Sequence, residues 1–204
     1  MVLIDKPEES HSSVTPECSS IDEFLLAAGR KRLSVQGDGN CMFRSLASQL
    51  LGSEDHHLAV RTLITRFENL NKERFEGFLI ASVNAPTMQE HIRKLMRLGT
   101  WGTHVELIAI ATYLQIPVYY CRENPSARGF KWERLKALGL ATGFRYPCVV
   151  EDDPMHPMHR QQITHFELLY YVQGHYDSIV STESNKVATD LPFLPLVPII
   201  HVSI

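Results

Sequence analysis

A short glycine-rich loop that runs directly into an apolar helical pattern limits what this chain can fold into more than any other stretch. The loop spans residues 37–40, and Cys41 follows it. Beyond Cys41 the apolar residues repeat with the period of one helix face. They are Met42, Phe43, Leu46, Ala47, Leu50 and Leu51. The pattern predicts a buried helix with Cys41 in its first turn and with Arg44 and Gln49 on its polar side.

The predicted position of Cys41 suits a thiol nucleophile. A helix N-terminus carries about half a positive charge, and such a site lowers the pKa of a thiol from about 8.5. Gly37 and Gly39 can adopt positive φ and let backbone N–H groups approach a ligand, where those groups can stabilise an oxyanion. The alternative is that Cys41 is a small core residue, since free cysteine is among the most buried residue types.

The composition of the whole chain limits the class of protein. Its 204 residues are enough for one domain with a sizeable core. A formal net charge of −3 with scattered Lys and Arg predicts no nucleic-acid partner, and the lack of an 18-residue apolar run predicts no membrane span. The first ten residues lack the apolar core of a signal peptide, and the four cysteines lack CxxC spacing. We therefore expect free thiols in a cytoplasmic or nuclear protein.

Three regions are predicted along the chain. Residues 1–19, rich in Ser, Glu and Pro, are expected to be a disordered lead-in. Residues 20–180 are expected to form one folded domain, and residues 181–204 an irregular, proline-rich apolar tail. Helical patterns come first and strand patterns gather late. This order favours an α/β or α+β fold with a central mixed sheet packed between helices.

The periodic patterns also predict individual elements. Helices are expected at residues 21–28, 41–51, 55–69, 71–80, 88–98 and 101–115. Strands are expected at residues 116–121, 148–150, 165–172 and 175–180, and residues 33–36 are expected to be a short strand or an extended entry to the glycine loop. The basic trio at residues 30–32 is expected on the solvated surface, and residues 124–143 are expected to hold a loop and a variable segment.

A thiol nucleophile needs a base within hydrogen-bond reach and a third group that orients the base. His175 is the candidate base, because it follows a strand pattern and a Gly turn that can aim its side chain at a helix end. Asp177 lies two positions further on, and residues i and i+2 of a strand point to the same side. We therefore expect Asp177 to accept the Nδ1–H of His175 and to leave the other ring nitrogen for the thiol.

Two alternatives to this assignment stay open at the level of the residues. His165 is followed two positions later by Glu167, so this pair has the same spacing and is a second candidate base. The chain has ten histidines, and His175 can also be a surface histidine beside an acidic turn residue.

A further alternative is a metal site between residues 148 and 165. Four residues of ligand type fall within those 18 positions: Cys148, His156, His159 and His165. Their spacing matches no common zinc pattern, and the proline residues among them predict a solvent-exposed loop. We therefore expect neither a metal ion nor another cofactor.

Three segments of the chain resemble the ovarian-tumour (OTU) family of cysteine peptidases. Residues 37–45 resemble the nucleophile motif of that family, and residues 101–107 are similar to its Trp-Gly and Glu-Leu segment. Residues 166–171 and 175–179 resemble its closing strand and its catalytic histidine block. The motifs follow the order of the family and span about residues 33 to 180.

The resemblance implies an OTU fold and a deubiquitinase that hydrolyses isopeptide or peptide bonds after the C-terminal glycine of ubiquitin. It implies that Cys41 is the nucleophile, that His175 is the general base and that Asp177 orients it. It also places Asp38 with the active site, in a loop that helps to form the oxyanion hole. The resemblance favours His175 over His165 and requires no cofactor.

Ubiquitin or ubiquitinated proteins are therefore the expected partners, and we expect a monomer. Two other functions remain compatible with the same residues. One is a non-catalytic ubiquitin-binding module of the same fold, and the other is a cysteine peptidase for a different ubiquitin-like modifier. Residues 124–143 match no family pattern, so the sequence predicts no preference for a ubiquitin chain linkage.

Overall fold

The computed structural model describes much of the chain between residues 20 and 183. The described segments are 20–82, 87–124, 129–135, 137–138, 165–170 and 174–183. Three sequence predictions lie outside them: the lead-in at 1–19, the strand at 148–150 and the tail beyond residue 183. The domain limits at residues 20 and 180 stay predictions.

Within the described residues the chain forms six α-helices, a short 3-10 helix and five strands. The helices are α1 (Ile21–Ala27), α2 (Cys41–Leu51), α3 (His57–Leu70), α4 (Lys72–Ser82), α5 (Met88–Leu95) and α6 (His104–Leu114). The strands are β1 (Arg30–Leu33), β2 (Val118–Glu123), β3 (Phe130–Leu135), β4 (Phe166–Tyr170) and β5 (Tyr176–Ser181). The 3-10 helix, Glu54–His56, links α2 to α3.

The five strands form one mixed sheet in the order β1-β5-β4-β2-β3. β2 and β4 pair in parallel, whereas the other three pairs are antiparallel. Tyr170 at the end of β4 lies opposite Tyr176 at the start of β5. The start of β5, with His175 directly before it, therefore lies at the end of the sheet where β4 finishes.

Apolar side chains cover both faces of this sheet. In the larger core, the helices from α2 through α6 pack on one face of the sheet. Phe43, Ile110 and Phe166 belong to this core. A smaller core lies under α1, where Leu25 packs with Cys121 and Ile179 on the other face. Burial of apolar surface on both faces confirms the predicted mixed sheet packed between helices.

The start of α6 is fixed by a reciprocal cap. The Thr103 hydroxyl accepts a hydrogen bond from Val105 N–H at 3.2 Å, while the Glu106 carboxylate accepts one from Thr103 N–H. Each bond satisfies an N–H group that a helix start leaves without a partner. The predicted helix at 101–115 thus begins at His104, and Trp101 stays outside it. None of the described helices combines the length and the apolar character that crossing a bilayer requires.

The sequence prediction for the basic trio is wrong at Arg30. Lys31 and Arg32 are exposed as expected, but Arg30 is 3% exposed and opens β1, which covers residues 30–33 rather than 33–36. Its Nε lies 3.1 Å from Oε2 of the buried Glu167 on β4. The carboxylate compensates the buried guanidinium charge, so this arginine lies inside the fold.

Residues 124–143 also differ from the prediction, because they contain the edge strand β3. It pairs with β2 in antiparallel register, Phe130 opposite Glu123. Phe130 and Trp132 pack against the smaller core, while Lys131 and Glu133 alternate with them and form an ion pair at 2.7 Å. Apolar and charged residues alternate along this strand, so it contains no continuous apolar run that would indicate a strand in the sequence.

Candidate active site

Cys41 is the first residue of α2, as the sequence predicts. The loop before it needs a glycine, because Gly39 has φ of 82° and a Cβ there would lie 2.2 Å from the carbonyl oxygen of Gly99. Gly102 packs equally closely, since a Cβ on it would lie 2.5 Å from Sδ of Met42. The segment 99–102 is therefore pressed against the start of the Cys41 helix.

Polar side chains fix α2 against the sheet. Gln49 was expected on a polar side, yet it is 4% exposed. Its Nε2 donates to the Glu167 carbonyl oxygen at 2.6 Å, and its Oε1 accepts from Glu167 N–H at 3.0 Å. Ser178 on β5 donates from its hydroxyl to the Ser45 carbonyl oxygen at 2.9 Å. These bonds set the rotation and height of α2, so they place Cys41 relative to the start of β5.

His175 and Asp177 form a pair at that same end of the sheet. Nε2 of His175 lies 3.1 Å from Oδ1 of Asp177. The same carboxylate oxygen accepts from Val35 N–H at 3.0 Å, and Asp177 is 3% exposed. The predicted pairing is therefore present, with Asp177 held by the segment that leads into the glycine loop.

The nitrogen assigned to this pair was wrong in the sequence prediction. Nε2 of His175, not Nδ1, faces Asp177. The opposite edge of the ring lies against the glycine loop, since a Cβ built on Gly37 would lie 3.6 Å from Cε1 and 3.7 Å from Nδ1. Strand spacing alone fixes the side on which the two residues meet, but the rotation of the imidazole ring depends on the loop packed against it. Nδ1 is thus the nitrogen on the side of the nucleophile loop.

The thiol of Cys41 lies beside the peptide that leads into His175. Its Sγ is 4.0 Å from the carbonyl oxygen of Gly174. Gly174 has φ of 84°, and a Cβ on it would lie 2.6 Å from the ring of Trp101. Trp101 is 60% exposed, so its ring forms a wall at the surface beside Gly174. The structure therefore places the Cys41 thiol beside the peptide that precedes His175, and it pairs His175 with Asp177.

The electrostatic setting of the thiol differs from the prediction. Burial raises the pKa of the Cys41 thiol above its ordinary value, although the backbone N–H groups of Tyr176, Met42 and Cys41 act in the opposite direction. The charge of Asp38 adds to the rise. The expected lowering of this pKa at the helix start is therefore wrong, because desolvation outweighs the helix end. A thiol in this setting needs a neighbouring base to take its proton.

Asp38 is bound within its own loop rather than to the histidine pair. Its Oδ1 accepts from Asn40 N–H at 2.9 Å, and its Oδ2 accepts from the Asn40 side chain at 2.9 Å. Arg44 donates to Oδ2 at 2.7 Å. Hydrogen bonds from Arg44 hold the pKa of this carboxyl well below its ordinary range. The ionised carboxylate of Asp38 therefore holds the shape of the nucleophile loop. It also engages the N–H of Asn40 in a hydrogen bond.

The second candidate base, His165, has different surroundings. It is 5% exposed, and its Nε2 lies 2.8 Å from Oε1 of Glu167. Glu167 is itself bonded to the guanidinium of Arg30. The ring of Tyr119 stacks edge-on against His165 at a centroid distance of 5.6 Å. This pair therefore belongs to a buried ionic network in the sheet.

The described residues include a cluster of metal-ligand residue types, but it is not the cluster considered from the sequence. Cys148, His156 and His159 lie outside the described residues. Another trio, Glu68, His91 and Glu106, has ligand atoms within 4.8 Å of one another, all buried. His91 Nε2 is 2.8 Å from Glu106 and 3.4 Å from Glu68. These three residues join α3, α5 and α6.

Burial and pairing shift the pKa values of two members of this trio. Burial raises the pKa of Glu68 to about 8, and the charge of Glu106 adds to the effect. Burial alone would lower the pKa of His91, but its bonds to Glu106 and Glu68 raise it to about 9. At neutral pH Glu68 is therefore neutral and His91 is cationic. The contacts of His91 with both carboxylates fit a structural cross-link between three helices of the core.

Sequence reasoning missed two residues that shape the site, Gln49 and Arg61. Both are buried, at 4% and 1% exposure. Helical periodicity assigns long polar side chains outside the apolar stripe to solvent. Only their partners, which are distant in sequence, reveal them, so no local signal was available.

Comparisons with known proteins give the family of this chain. Residues 36–176, more than half of the chain, match the family model described as OTU-like cysteine protease. The chain is 28% identical over 145 residues to OVARIAN TUMOR DOMAIN-containing deubiquitinating enzyme 9 of Arabidopsis thaliana, covering 71% of this chain and 34% of that protein. The chain spans no more than 34% of the length of the first five curated relatives it matches.

Solved OTU domains share the fold. The OTU domain of OTUD1 superposes with a TM-score of 0.60 at 18% identity, over 78% of this chain and 91% of that one. An OTU deubiquitinase of Wolbachia pipientis wMel, solved bound to ubiquitin, gives a TM-score of 0.52 at 15% identity, over 76% of this chain and 98% of that one. With the family model matching most of the chain and the fold in agreement, this chain belongs to the OTU-like cysteine protease family.

Proposed function

We propose that this chain is a thiol-dependent deubiquitinase that hydrolyses isopeptide or peptide bonds at the C-terminus of ubiquitin. The observation that carries the proposal is the placement of the Cys41 thiol beside the peptide before His175, with His175 bonded to the buried Asp177. Membership of the family supports the reaction class. The ubiquitin bound to the Wolbachia relative supports ubiquitin as the substrate. The reducing cytoplasm or nucleus suits a free catalytic thiol.

The first step is transfer of the thiol proton to Nδ1 of His175. Because burial raises the pKa of the Cys41 thiol, this transfer is needed to make the attacking thiolate. Asp177 accepts the Nε2–H of His175 and stabilises the imidazolium that forms. The sulfur then bonds to the carbonyl carbon of the scissile bond, and the carbonyl electron pair moves to oxygen.

The backbone at the head of α2 supports the resulting oxyanion. The first N–H groups of a helix have no partner within the helix, and Cys41 is the first helical residue. Its N–H is thus available to an oxyanion, whereas the N–H of Asn40 is occupied by Asp38. One such donor contributes about 3 kcal/mol to transition-state stabilisation.

The remaining steps reuse the same base. His175 returns its proton to the departing lysine or peptide nitrogen, and the carbon–nitrogen bond breaks to leave a thioester on Cys41. Water then gives a proton to His175 and attacks the thioester carbon. Collapse of that second tetrahedral species releases the ubiquitin carboxylate and restores the thiol. The cycle consumes one water molecule and needs no cofactor.

Incubation with a ubiquitin probe that carries a C-terminal electrophile tests this proposal. We expect one covalent adduct at Cys41, and no adduct after Cys41→Ala. The fold offers a matched control in Cys121, a second buried cysteine whose pKa is raised to about 12 by burial. Cys121→Ala is expected to leave labelling intact.

The same experiment separates the competing functions. Binding of ubiquitin without labelling of Cys41 would identify a non-catalytic ubiquitin-binding module. Labelling by a probe built on another ubiquitin-like modifier, with the ubiquitin probe inert, would identify a peptidase for that modifier. Either outcome contradicts the deubiquitinase assignment.

A further inference from the structure

Arg61 on α3 is among the largest fully buried side chains of the described residues, with 1% of its surface exposed. Burial lowers the pKa of Arg61 to about 10, so the guanidinium still carries its charge at neutral pH. Holding a charge in the core costs free energy unless its donors are satisfied. Packing alone would be served by an apolar side chain, so the contacts of this guanidinium indicate what it is for.

Three oxygens bind the guanidinium. One terminal nitrogen donates to the Leu95 carbonyl at 2.8 Å. The other donates to the Thr100 carbonyl at 2.8 Å and to Oδ1 of Asn40 at 2.7 Å. The guanidinium carbon also lies 3.9 Å from the centroid of the Phe43 ring on α2. Arg61 thus connects the end of α5 and the segment after it to the start of the nucleophile helix.

Asn40 carries this connection to the nucleophile. It is 5% exposed and directly precedes Cys41. Asn40 occupies the N-cap position of α2, yet its side chain makes no capping bond there. Its Oδ1 accepts from Arg61 and from Gly99 N–H at 3.0 Å, and its Nδ2 donates to Asp38. The amide therefore ties the loop to Arg61 and to residue 99.

The second branch leads to the histidine side of the site. Thr100, whose carbonyl binds Arg61, directly precedes Trp101. The Trp101 ring packs on Gly174, and Gly174 precedes His175. The guanidinium of Arg61 therefore binds both the nucleophile loop, through Asn40, and the segment that carries the Trp101 wall, through Thr100.

We propose that Arg61 is a positioning residue, which through Asn40 and Thr100 sets the geometry of the nucleophile loop and of the Trp101 wall. The catalytic consequence rests on the proposed deubiquitinase function, whereas the effect on loop order does not. A side chain that only filled the core would affect global stability and nothing else.

Arg61→Lys tests this role because it keeps the charge but replaces the planar fork, whose two terminal nitrogens reach oxygens on separate segments, with a single nitrogen. With a fluorogenic ubiquitin amide as substrate, we expect kcat to fall about 100-fold, the scale for slight misplacement of reacting groups, with KM little changed. Alkylation of Cys41 by iodoacetamide is a displacement at saturated carbon and uses no oxyanion donor, so its rate should change little. Thr65→Val is the matched control, since Thr65 is buried one turn along α3 and bonds only back to the Arg61 carbonyl.

Amide hydrogen exchange gives a readout that needs no enzyme activity. The Gly99 N–H donates to Asn40, and the Asn40 N–H donates to Asp38. We expect both amides to exchange faster in Arg61→Lys, with those in α4 unchanged. Asn40→Ala keeps the arginine but removes the side chain that links it to the loop, and it should also speed exchange of the Gly99 N–H. This variant replaces Arg61→Lys in the experiment if the lysine variant does not fold.

The possible outcomes are distinct. Equal loss of kcat in Arg61→Lys and Thr65→Val, or uniform acceleration of exchange across the helices, would overturn the positioning role. If the unmodified chain shows no turnover, the proposed function fails, and the exchange pattern alone then decides whether Arg61 orders the loop.

Discussion

Two histidines of this chain each precede a carboxylate by two positions, and the fold gives them opposite surroundings. His165 is 5% exposed, and its partner Glu167 also binds the buried Arg30. The side chain of His175 is 32% exposed and is bonded to Asp177 at 3.1 Å. Its other ring nitrogen lies on the side of the glycine loop before Cys41.

The difference shows that i, i+2 spacing in the sequence predicts a histidine–carboxylate pair but does not determine the function of that pair. Glu167 already compensates a buried guanidinium, so its bond to His165 completes an enclosed ionic network. His175 has one nitrogen held by a carboxylate and another on the side of the nucleophile loop. A general base must gain and lose a proton while it faces the reactant, so only the second arrangement suits catalysis.

Substitution of the two histidines is the strongest way to break this comparison. His175→Ala is expected to lower kcat by about 10⁴-fold or more, because a nucleophile and its base act as one unit. His165→Ala is the matched control and should leave the kcat of the folded fraction nearly unchanged while lowering stability. Steady-state hydrolysis of a fluorogenic ubiquitin amide measures both. If His165→Ala proves the more damaging to kcat, the assignment of the base is wrong.

Removal of Arg30 tests the structural half of the comparison. Arg30→Met leaves the fully buried carboxylate of Glu167 without its guanidinium, and breaking a buried ion pair in this way costs about 3–5 kcal/mol. We expect urea unfolding to show a loss of that size, while kcat of the folded protein changes little. Arg32→Met on the same strand is the control, because Arg32 is exposed. Equal losses in the two variants would show that the Arg30 network does not stabilise the sheet.

Asp177→Asn tests the catalytic half of the comparison, which is the effect of the carboxylate charge on His175. The amide oxygen can still accept the Nε2–H of His175, but it no longer carries the charge that stabilises an imidazolium. We expect kcat to fall about 100-fold, the lower end of general acid–base contributions, with the bond to Val35 N–H retained. The pH profile of kcat/KM provides the check. A variant with the unmodified rate would mean that Asp177 does not act through the histidine.

Much of the site could be predicted because its signals are local. The glycine loop, the helix that starts at Cys41 and the pair formed by His175 and Asp177 are each specified by a few neighbouring residues. Their meeting across the fold followed from the order of motifs in the family and not from periodicity. The helix predicted at residues 55–69 was equally legible, and the structure forms α3 there, with Val60, Leu63, Ile64 and Phe67 buried.

The misses share one physical cause, which is that charge and polarity inside a fold are set by partners far along the chain. Arg30 looked solvated because Glu167 lies 137 positions away. Gln49 looked exposed because its partners are on β4 and β5. The predicted pKa of the Cys41 thiol had the wrong direction, because helix position can be read from sequence whereas burial cannot.

A third histidine, His91, extends the comparison to a buried pair of carboxylates, and its effect is expected to be the smallest. Folding raises the pKa of Glu68 from 4.5 to about 8 and that of His91 from 6.5 to about 9. The folded state therefore holds more protons than the unfolded state between those limits. Stability from Glu68 is complete below about pH 4.5 and is lost as pH rises through 8, and that from His91 is complete below 6.5 and is lost through 9.

Glu68→Gln isolates this contribution, because glutamine resembles the protonated acid that the core holds at neutral pH. We expect the variant to match the unmodified chain near pH 4.5 and to lose less stability between pH 4.5 and 8, as measured by urea midpoints across that range. Glu76→Gln is the matched control, since Glu76 is exposed on α4, and it should follow the unmodified curve. Parallel curves for Glu68→Gln and the unmodified chain would mean that Glu68 is ionised in the fold.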